Sequence, residues 1–583
     1  MRNVKKEIAE LLAAQVESLT AEDIEKLIEI PADPRMGDYA FPCFRLAKVM
    51  RKAPQMIAAD IAKAIEPNAL FEKVEQVNAY VNMFIDKQEF ARLTLSAVCE
   101  QGAAYGNTEG GKGKTVVVEY SSPNIAKPFH IGHIRSTVIG ASIAKLYEAI
   151  GCKVVRLNHL GDYGTQFGKM IVAYRKWGNK EDVEREPIKT LLSYYVKFHE
   201  EAEKDPSLED EARETFTKLE HGAKEETELW QWFRSESLKE FSRVYDMLDI
   251  HFDSYNGESF YSDKMPAVLE ELKEKGLLQE SQGAQIVDLE PYGMTPALVT
   301  KSDGSSLYIT RDLAAAMYRK KTYGFDKCIY VVASQQNLHF QQWFKILELM
   351  GYDWAKDCVH VPFGLVSLEE GTMSTRQGRV VFLEDVLKRA VEKTREIIEE
   401  KGVNTDNMEE TAKIVGIGAV IFQELSNYRI KDYTFSWDKV LNFDGETGPY
   451  VQYTHARAAS VLRASAGSAQ AGTDPELVEG AIKAFDISNM DLRYICGDAG
   501  YELVKLLYRF PEVVADAADK YEPSVVTRHI VDIAQAYNKF YHDERILVDN
   551  EDEKNAKLLL TYAAKQAIAN GLALLMMKAP EKM

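Results

Sequence analysis

Hydrophobic residues follow the strand period in one part of the chain and the helix period in most of the rest. Four apolar runs rich in β-branched residues predict buried strands. They lie at 115–120, 152–158, 328–334 and 358–364. Helix-period segments follow the first run (134–151) and separate the last two (335–351). Strand, helix and strand in this order predict βαβ units, so we expect a parallel sheet with crossover helices.

Outside this region the pattern is mainly helical. Residues 2–15 and 56–65 predict amphipathic helices. Residues 176–250 are charge-rich and poor in strand signals, which predicts a helical insertion within the α/β region. From about 405 onward the chain has almost only the helix period, with a break at 464–475. The last third is therefore predicted to be all-α.

A glycine-rich stretch marks the first predicted domain boundary. Segment QGAAYGNTEGGKGK (101–114) holds five glycines just before the first predicted strand, which is typical of a linker. We therefore expect an α/β and all-α multidomain protein. Its expected domains are residues 1–105, residues 106–405 with the insertion at about 176–250, and residues 406–583.

Composition narrows the function classes. The 583 residues are 46% hydrophobic and 28% charged, a balance typical of globular proteins and not of disordered or repetitive chains. Lys and Arg number 71 against 90 Asp and Glu, which gives a net charge of −19. An acidic chain has no global attraction to nucleic acid, so any such partner requires a local basic face.

The sequence lacks the segments that are typical of membrane and secreted proteins. Its longest apolar runs fall short of the roughly 18 residues of a membrane-spanning helix. The N-terminus has no apolar segment typical of a secretory signal. Six cysteines are scattered without a CxxC pair, so we expect neither a disulfide framework nor a cysteine-rich zinc site. These features favour the cytoplasm and no membrane partner.

The segment after the first predicted strand carries the main candidate chemistry. Glu119 closes that strand, and His130 and His133 stand around Gly132 just before the predicted helix. Ligands bind at the carboxyl ends of parallel strands, and a helix N-terminus favours phosphate. Two imidazoles there can stabilise charge on a transferring phosphoryl or nucleotidyl group, while Gly132 allows close approach to the backbone.

Two other interpretations of the histidine pair stay open. The rings can simply be hydrogen-bonded at a helix start, or they can bind a metal ion. The HxxH spacing has no third ligand nearby, so we expect no tightly bound metal.

Longer segments resemble a known family. HIGH, residues 130–133, resembles the ATP-binding motif of class I aminoacyl-tRNA synthetases, and the string SSPNIAKPFHIGHIRSTVIG resembles the arginyl-tRNA synthetase family. Further resemblances follow the family's order over nearly the whole chain. They are GDYAFPCFRLAK (37–48), NHLGDYGTQFG (158–168), SDGSSLYITRDLAAAMYR (302–319), YVVASQQNLHFQQ (330–342), GETGPYVQYTHAR (445–457) and AYNKFYHDERIL (536–547).

This resemblance implies a Rossmann-type parallel-sheet catalytic domain with a helical insertion, a small α+β N-terminal domain and a C-terminal α-helical anticodon-binding domain. It implies that L-arginine is activated with ATP to arginyl-AMP and transferred to the 2′-hydroxyl of the 3′-terminal adenosine of tRNA(Arg), releasing AMP and pyrophosphate. ATP is then bound with Mg²⁺, and activation requires tRNA. We expect a monomer, because no long apolar stripe is left without an assigned role.

The second ATP loop departs from the class pattern. Where the class usually has KMSKS, this chain has threonines at both lysine positions, Thr372 and Thr375. The resemblance implies that Lys127, together with His130, Gly132 and His133, forms the catalytic set, and that Lys127 replaces the missing positive charge. Arg376 is a second candidate for this charge, and the alternative for Lys127 is a solvated loop lysine. ATP contacts are also expected from Met373, Ser374 and Arg376.

A guanidinium is planar and permanently charged, so an arginine pocket must supply carboxylates in a mostly apolar cleft. Asp312 resembles the family's guanidinium partner, and Tyr308 its aromatic wall. Alternatively, Asp312 is a helix-capping acid and Glu119 a strand-end salt bridge. The remaining expected arginine contacts are Glu119, Ser122, Asn124, His133, Glu258 and Gln336.

The tRNA contacts are the least constrained. Residues 440–583 carry 15 Lys and Arg against 21 Asp and Glu, so anticodon binding requires one face to gather cations. Candidates for that face are Arg457, Arg463, Arg493, Arg509, Lys539 and Arg545. The resemblance favours Tyr453, His455 and Arg457 as contacts there, and Asn82 of the N-terminal domain at the tRNA elbow.

Two other function classes remain as alternatives. A small-molecule nucleotidylyltransferase would use the same HxGH loop but predicts no helical anticodon-binding tail. A non-catalytic tRNA-binding paralogue predicts a damaged catalytic loop, whereas His130, Gly132 and His133 are intact. Only the threonines at 372 and 375 favour the paralogue.

Overall fold

The chain forms two compact units. The smaller unit comprises Met1–Tyr105, Arg457–Phe510 and Asp532–Ile568, and the larger unit comprises Gly106–Ala456, Pro511–Val531 and Ala569–Met583. The computed structural model describes residues 3–16, 18–66, 68–300, 308–368, 381–402, 407–440, 445–465 and 475–583.

Helices dominate the described residues. They are α1 (Val4–Ala13), α2 (Ala21–Leu27), α3 (Leu46–Met50), α4 (Pro54–Ala64), α5 (Lys87–Gln101), α6 (Gly132–Ala149), α7 (Thr165–Trp177), α8 (Lys180–Arg185), α9 (Pro187–Lys204), α10 (Ser207–Glu220), α11 (Lys224–Leu248), α12 (Met265–Glu274), α13 (Tyr308–Tyr323), α14 (Asn337–Leu349), α15 (Leu383–Lys401), α16 (Met408–Leu425), α17 (Trp437–Val440), α18 (Gly448–Ser465), α19 (Pro475–Lys483), α20 (Asp498–Asp519), α21 (Ser524–Asp543) and α22 (Glu551–Leu574).

The strands are short. They are β1 (Tyr39–Pro42), β2 (Phe71–Val77), β3 (Tyr80–Ile85), β4 (Thr115–Glu119), β5 (Lys153–Leu157), β6 (Leu278–Ser281), β7 (Ala284–Val287), β8 (Ala297–Thr300), β9 (Lys327–Ala333), β10 (Cys358–Phe363), β11 (Val366–Leu368) and β12 (Tyr433–Phe435).

A four-stranded parallel sheet in the order β10-β9-β4-β5 lies at the centre of the larger unit. Val116, Val117 and Val118 of β4 are at most 2% exposed, as expected for a strand covered on both faces. Helix α6 connects β4 to β5 and packs against both. Gly140 lets α6 approach the sheet, since a Cβ there would lie 2.1 Å from Tyr120 Cβ. The predicted parallel sheet is confirmed.

The predicted helical insertion is also present, as helices α8 to α11. The helical stretch starts earlier than expected, because α7 begins at Thr165 and packs against α9 and α10. Buried Leu191, Phe198, Phe216 and Phe233 form the apolar faces of these helices, and their charged residues lie mostly on the outside, apart from buried Glu226 and Glu236.

The smaller unit contains an antiparallel sheet in the order β1-β3-β2, with α4 packed on β2 and β3. Phe90 of α5 contacts Tyr508 with ring centroids 4.6 Å apart, and the Tyr105 hydroxyl donates to the carbonyl of Leu507 over 2.7 Å. The N-terminal α+β fold and the helical C-terminal region are therefore as predicted.

Two small sheets were not predicted from the sequence. Strands β6, β7 and β8 form an antiparallel sheet, and β11 pairs with β12. Each of these strands has three or four residues, too few for a period of two to be recognised. The predicted break at 464–475 lies mostly outside the described residues, between the end of α18 and the start of α19.

Candidate active site

Buried hydroxyl groups hold the loop between β4 and α6. Ser121, Ser122 and Ala126 have left-handed backbone conformations, with φ of 66°, 45° and 57°. Ser121 Oγ lies 2.8 Å from both Thr137 Oγ1 and Tyr245 Oη. Such conformations cost about 1–3 kcal/mol each and persist only where the surroundings hold them. The loop thus turns sharply after β4 and leads the chain into the HIGH segment.

His130 and His133 stand side by side at the first turn of α6, with ring centroids 3.9 Å apart. The backbone N–H of His130 donates to His133 Nδ1, and that of Gly132 donates to His130 Nδ1, each over 3.1 Å. An Nδ1 that accepts a hydrogen bond carries no proton, so each neutral ring has its proton on Nε2. Each ring therefore presents an Nε2–H donor for a ligand.

Both imidazoles are held in the neutral form. Burial lowers the pKa of His130 to about 4 and the pKa of His133 well below its usual range. For His133 the charges of His130 and Lys127 lower the pKa further. At neutral pH the pair consequently acts through hydrogen bonds and not through net charge.

Lys127 lies close to this pair. Its side chain is half-buried, and Nζ lies 5.7 Å from the centre of the Tyr195 ring. Its charge lowers the pKa of both His133 and Glu258, so the ammonium acts on both sides of the site. This half-buried position differs from that of a fully solvated loop lysine.

The second ATP loop lies outside the described residues, and with it Thr372, Thr375, Met373, Ser374 and Arg376. The residues that follow it contact the HIGH segment. The backbone N–H of Ile131 donates to the carbonyl of Val381, and that of Leu383 donates to the carbonyl of Phe129. The chain after the loop is therefore fixed beside His130.

Glu119 ends β4 in a buried ion pair. Its Oε2 lies 2.5 Å from Arg319 Nη1, and the second guanidinium nitrogen lies 3.2 Å from His159 Nδ1. The Arg319 guanidinium lies 5.9 Å from the centre of the Tyr261 ring and 5.4 Å from that of the Tyr330 ring. The strand-end salt bridge considered for Glu119 is thus present, with Arg319 as its partner.

Glu258 lies 3.1 Å from Arg311 Nη1 through its Oε2. Burial raises the pKa of Glu258 to about 7, although Arg311 opposes this shift. The charges of Asp312 and Lys127 also act on the pKa of Glu258, Asp312 raising it and Lys127 lowering it.

Asp312 lies in the second turn of α13 and does not cap the helix. Its Oδ2 lies 2.6 Å from His339 Nε2, at the start of α14. Tyr308, the first residue of α13, is 62% exposed and its ring faces Arg311 at 5.8 Å. Asp312 and Tyr308, the two residues of α13 predicted to bind substrate arginine, therefore face the same space as Glu258.

The polar residues of the predicted pocket lie at the carboxyl ends of the strands. Ser122 Oγ accepts the backbone N–H of His159 over 3.2 Å. Asn124 pairs with Gly161, where an added Cβ would lie 2.0 Å from Asn124 Oδ1. Gln336 is exposed in the turn after β9. These side chains line the ends of the parallel sheet from more than one strand.

The partners of the acidic residues were not predicted from the sequence. Arg311, Arg319 and His339 lie within the family-like segments, but nothing in their spacing indicated that they contact Glu258, Glu119 and Asp312. Asp162 was also missed. It is completely buried, and its carboxylate accepts hydrogen bonds from Arg234 and from the Ser259 backbone. Asp162 thereby holds the turn that carries Glu258.

The predicted tRNA contacts differ in exposure. Asn82 is 3% exposed in the central strand β3, and its amide donates to the carbonyl of Met36. His455 is 2% exposed, with Nδ1 2.9 Å from the carbonyl of Pro580. Tyr453 is 44% exposed. The Arg457 guanidinium donates to Asn538 and lies 5.3 Å from the Tyr541 ring centre.

Two features are absent from the described residues. None of their helices combines the length and the apolar composition needed to cross a membrane. No group of three or more His, Cys, Asp or Glu side chains in the same residues is arranged to hold a metal ion.

Three family models match the chain. They are "tRNA synthetases class I (R), catalytic domain" over residues 94–437, "DALR anticodon binding domain" over 451–583, and "Arginyl tRNA synthetase N terminal domain" over 2–85.

Individual proteins match over the full length. Arginine–tRNA ligases of Clostridioides difficile (strain 630) and Halothermothrix orenii (strain H 168) are 58% and 57% identical over 583 residues, which is 100% of this chain and of each relative. The solved Thermus thermophilus arginyl-tRNA synthetase has a TM-score of 0.80 at 25% identity, with 100% of both chains covered. The chain belongs to the arginyl-tRNA synthetase family of class I aminoacyl-tRNA synthetases.

Proposed function

We propose a role for individual residues in each step of the reaction that this chain catalyses. The reaction is the charging of tRNA(Arg) with arginine using ATP. One observation carries the proposal: backbone N–H groups bind Nδ1 of both His130 and His133. Both Nε2–H groups are consequently available to ATP phosphate oxygens at the N-terminus of α6. Gly132 lets the nucleotide approach the backbone between them.

In the first step a carboxylate oxygen of arginine attacks the α-phosphorus of ATP in line with the leaving group. A P–O bond to arginine forms, the bond from the α-phosphorus to the bridging oxygen breaks, and pyrophosphate leaves with the electron pair. The product is arginyl-AMP. No general base is required, because the arginine carboxylate is already ionised.

His130, His133 and Lys127 stabilise the negative charge that develops on the transferring phosphate and on pyrophosphate. Met373, Ser374 and Arg376 complete the ATP contacts. Mg²⁺ enters as part of the ATP substrate complex, since the N–H and ammonium groups assigned to the phosphates do not ligate a cation. We assign no tightly bound metal to the protein.

For the amino acid, Asp312 binds the guanidinium group and Tyr308 forms the aromatic wall. The mutual influence of the charges of Glu258, Asp312 and Lys127 supports one shared pocket. The other residues contact the polar ends of the substrate or complete the acidic pocket. They are Glu119, Ser122, Asn124, His133, Glu258 and Gln336.

In the second step the 2′-hydroxyl of the terminal adenosine of tRNA(Arg) attacks the carbonyl carbon of arginyl-AMP. An ester bond forms, the anhydride C–O bond breaks, and AMP leaves while the hydroxyl proton is released. Asn82, Tyr453, His455 and Arg457 belong to the tRNA-binding surface. Activation of arginine requires bound tRNA.

At the scale of the chain we propose three domains: residues 1–105 for the tRNA elbow, 106–405 for catalysis and 406–583 for the helical linker and anticodon binding. The enzyme acts as a monomer in the cytoplasm. Six free cysteines, four of them buried, are consistent with a reducing compartment.

The test is ATP–pyrophosphate exchange with each of the 20 amino acids, with and without total tRNA. Exchange with arginine alone, and only with tRNA present, is the expected result. Arginine-specific exchange without tRNA would overturn the tRNA requirement. No exchange under any condition would contradict an intact catalytic site and direct attention to Thr372 and Thr375.

A further inference from the structure

Each acidic residue assigned to the arginine pocket already has a partner within the chain. Glu119 pairs with Arg319 at 2.5 Å, and Glu258 with Arg311 at 3.1 Å. Asp312 alone pairs with a histidine, His339, at 2.6 Å. The three acids therefore differ in how readily they can bind a substrate guanidinium.

Glu119 and Glu258 face permanent cations. Their side chains are 9% and 15% exposed, and those of Arg319 and Arg311 are 2% and 8% exposed. Each glutamate uses Oε2 for this pair, so substrate arginine would share the carboxylate with a guanidinium of the same chemistry and would bring its positive charge beside a buried cation. These two acids are already paired with permanent cations inside the protein.

Asp312 differs in both exposure and partner. Its side chain is 29% exposed and that of His339 is 27% exposed. An imidazole donates a hydrogen bond through Nε2–H without cancelling the carboxylate charge. Within the described parts of the chain, only Oδ2 of Asp312 has a hydrogen-bond partner, so Oδ1 stays available to a ligand. Asp312 is therefore the most exposed of the three acids and the one whose partner is not a permanent cation.

The position of His339 is fixed by its helix. It lies in the first turn of α14, three residues after Gln336, and the following turn is anchored by buried Phe340 and Trp343. The His339 and Phe340 rings are nearly perpendicular, at 80°. The helix turn that carries His339 is consequently anchored in the core.

We propose that His339 is a positioning residue that holds the Asp312 carboxylate so that Oδ1 faces the substrate guanidinium. The inference rests on the proposed function, which assigns the guanidinium to Asp312. His339 acts through Asp312 and does not itself contact arginine. Its contribution consequently appears in arginine binding and is absent from ATP binding.

A double-mutant cycle tests this in the full-length enzyme, with aminoacylation assayed at saturating tRNA. His339→Leu is expected to raise KM for arginine about tenfold and leave KM for ATP unchanged. His339→Gln, which keeps an N–H donor near the Nε2 position, should recover most of the loss. On the Asp312→Asn background, His339→Leu should add less than about twofold.

The matched control is Gln342→Leu. Gln342 lies on the same helix and donates to the carbonyl of Thr295 over 2.8 Å, away from Asp312. It should leave KM for arginine unchanged.

If Asp312→Asn leaves KM for arginine unchanged, both the guanidinium assignment and the role of His339 are wrong. If Asp312→Asn raises it while His339→Leu does not, or if the two effects add fully, only the positioning role is overturned. A rise in both KM values with a lower melting temperature would mean a merely structural His339 and would also overturn it.

Discussion

At the scale of single residues, each histidine of the HIGH segment carries its proton on Nε2. A substitution can therefore replace the histidine only if it places a hydrogen-bond donor near that position. Gln places a donor near the position of Nε2, whereas the shorter Asn does not reach it. We expect His133→Asn to lower kcat for pyrophosphate exchange about 100-fold and His133→Gln only about tenfold. Equal losses would contradict the Nε2–H donor. His251→Asn, with a 77% exposed side chain, is the control and should have no effect.

Burial of His130 also makes the stability of the folded chain sensitive to acid. Its pKa is about 4 in the folded chain, against a usual value of 6.5, so the unfolded chain binds the proton first as pH falls. The stability associated with neutral, buried His130 is fully present above pH 6.5 and is lost progressively as the pH falls to 4. Between pH 7 and pH 5 the loss is about 2 kcal/mol.

The measurement is urea unfolding of the wild type and of His130→Asn at pH 7 and pH 5. The variant should lose about 2 kcal/mol less than the wild type over this interval. The same loss in both proteins would mean that His130 is not held neutral by burial.

The residues that carry a sequence motif could be identified before the structure, but their partners could not. HIGH was recognisable because its four residues are adjacent in sequence. Arg319 lies 200 residues from Glu119, and His339 lies 27 residues from Asp312. Contacts of this kind depend on which strands become neighbours in the sheet, and one sequence without structure does not determine them.

At the scale of elements, one buried side chain ties α6 to the end of β10. Arg135 donates to the carbonyls of Gly364, Lys431 and Arg429 over 2.9, 2.7 and 3.1 Å. Its Nε lies 3.4 Å from Glu424 Oε2, and both side chains are buried. Since His133 precedes Arg135 by two residues, a shift of α6 against β10 would move the histidine pair.

Arg135→Met leaves three carbonyl groups without their donor and removes the cation that opposes the burial-raised pKa of Glu424. We expect a loss of about 3–5 kcal/mol in the free energy of unfolding, measured with urea. Arg185→Met provides the comparison, because Arg185 pairs with Asp182 at 2.8 Å while 72% exposed, and should cost less than about 0.5 kcal/mol. A loss below about 1 kcal/mol for Arg135→Met would contradict its role in joining the two elements.

Whether a strand could be predicted from the sequence depends on its length and its burial. The strands β4, β5, β9 and β10 were predicted within one or two residues, because a short run of valine and isoleucine between turn signals is typical of a buried strand. Strand β6 was missed because Leu278–Ser281 is mostly exposed and polar, and β7 and β8 because four residues are too few to show a period of two. The order of the strands was also not predictable, since β9 reaches the side of β4 only after the long insertion.

At the scale of the whole molecule, the acidic composition governs how tRNA can bind. The net charge of −19 repels a polyanion at long range, so attraction must come from cations fixed on a local surface. Among the candidates for that surface, Arg493 is engaged with Asp491 at 2.7 Å. Arg457 donates to Asn538 and lies over the face of Tyr541, and the proposed function assigns it to the tRNA-binding surface.

Arg457→Gln should therefore weaken tRNA binding while leaving KM for arginine and ATP unchanged. If Arg457 contacts one phosphate, the slope of log affinity against log salt should decrease in magnitude by about 1. Filter binding of tRNA(Arg) from about 50 to 200 mM salt measures both quantities. Lys393→Gln, an exposed residue paired with Glu396, should change neither. A weaker affinity with an unchanged slope would place Arg457 in the packing of the helices instead of on the phosphate backbone.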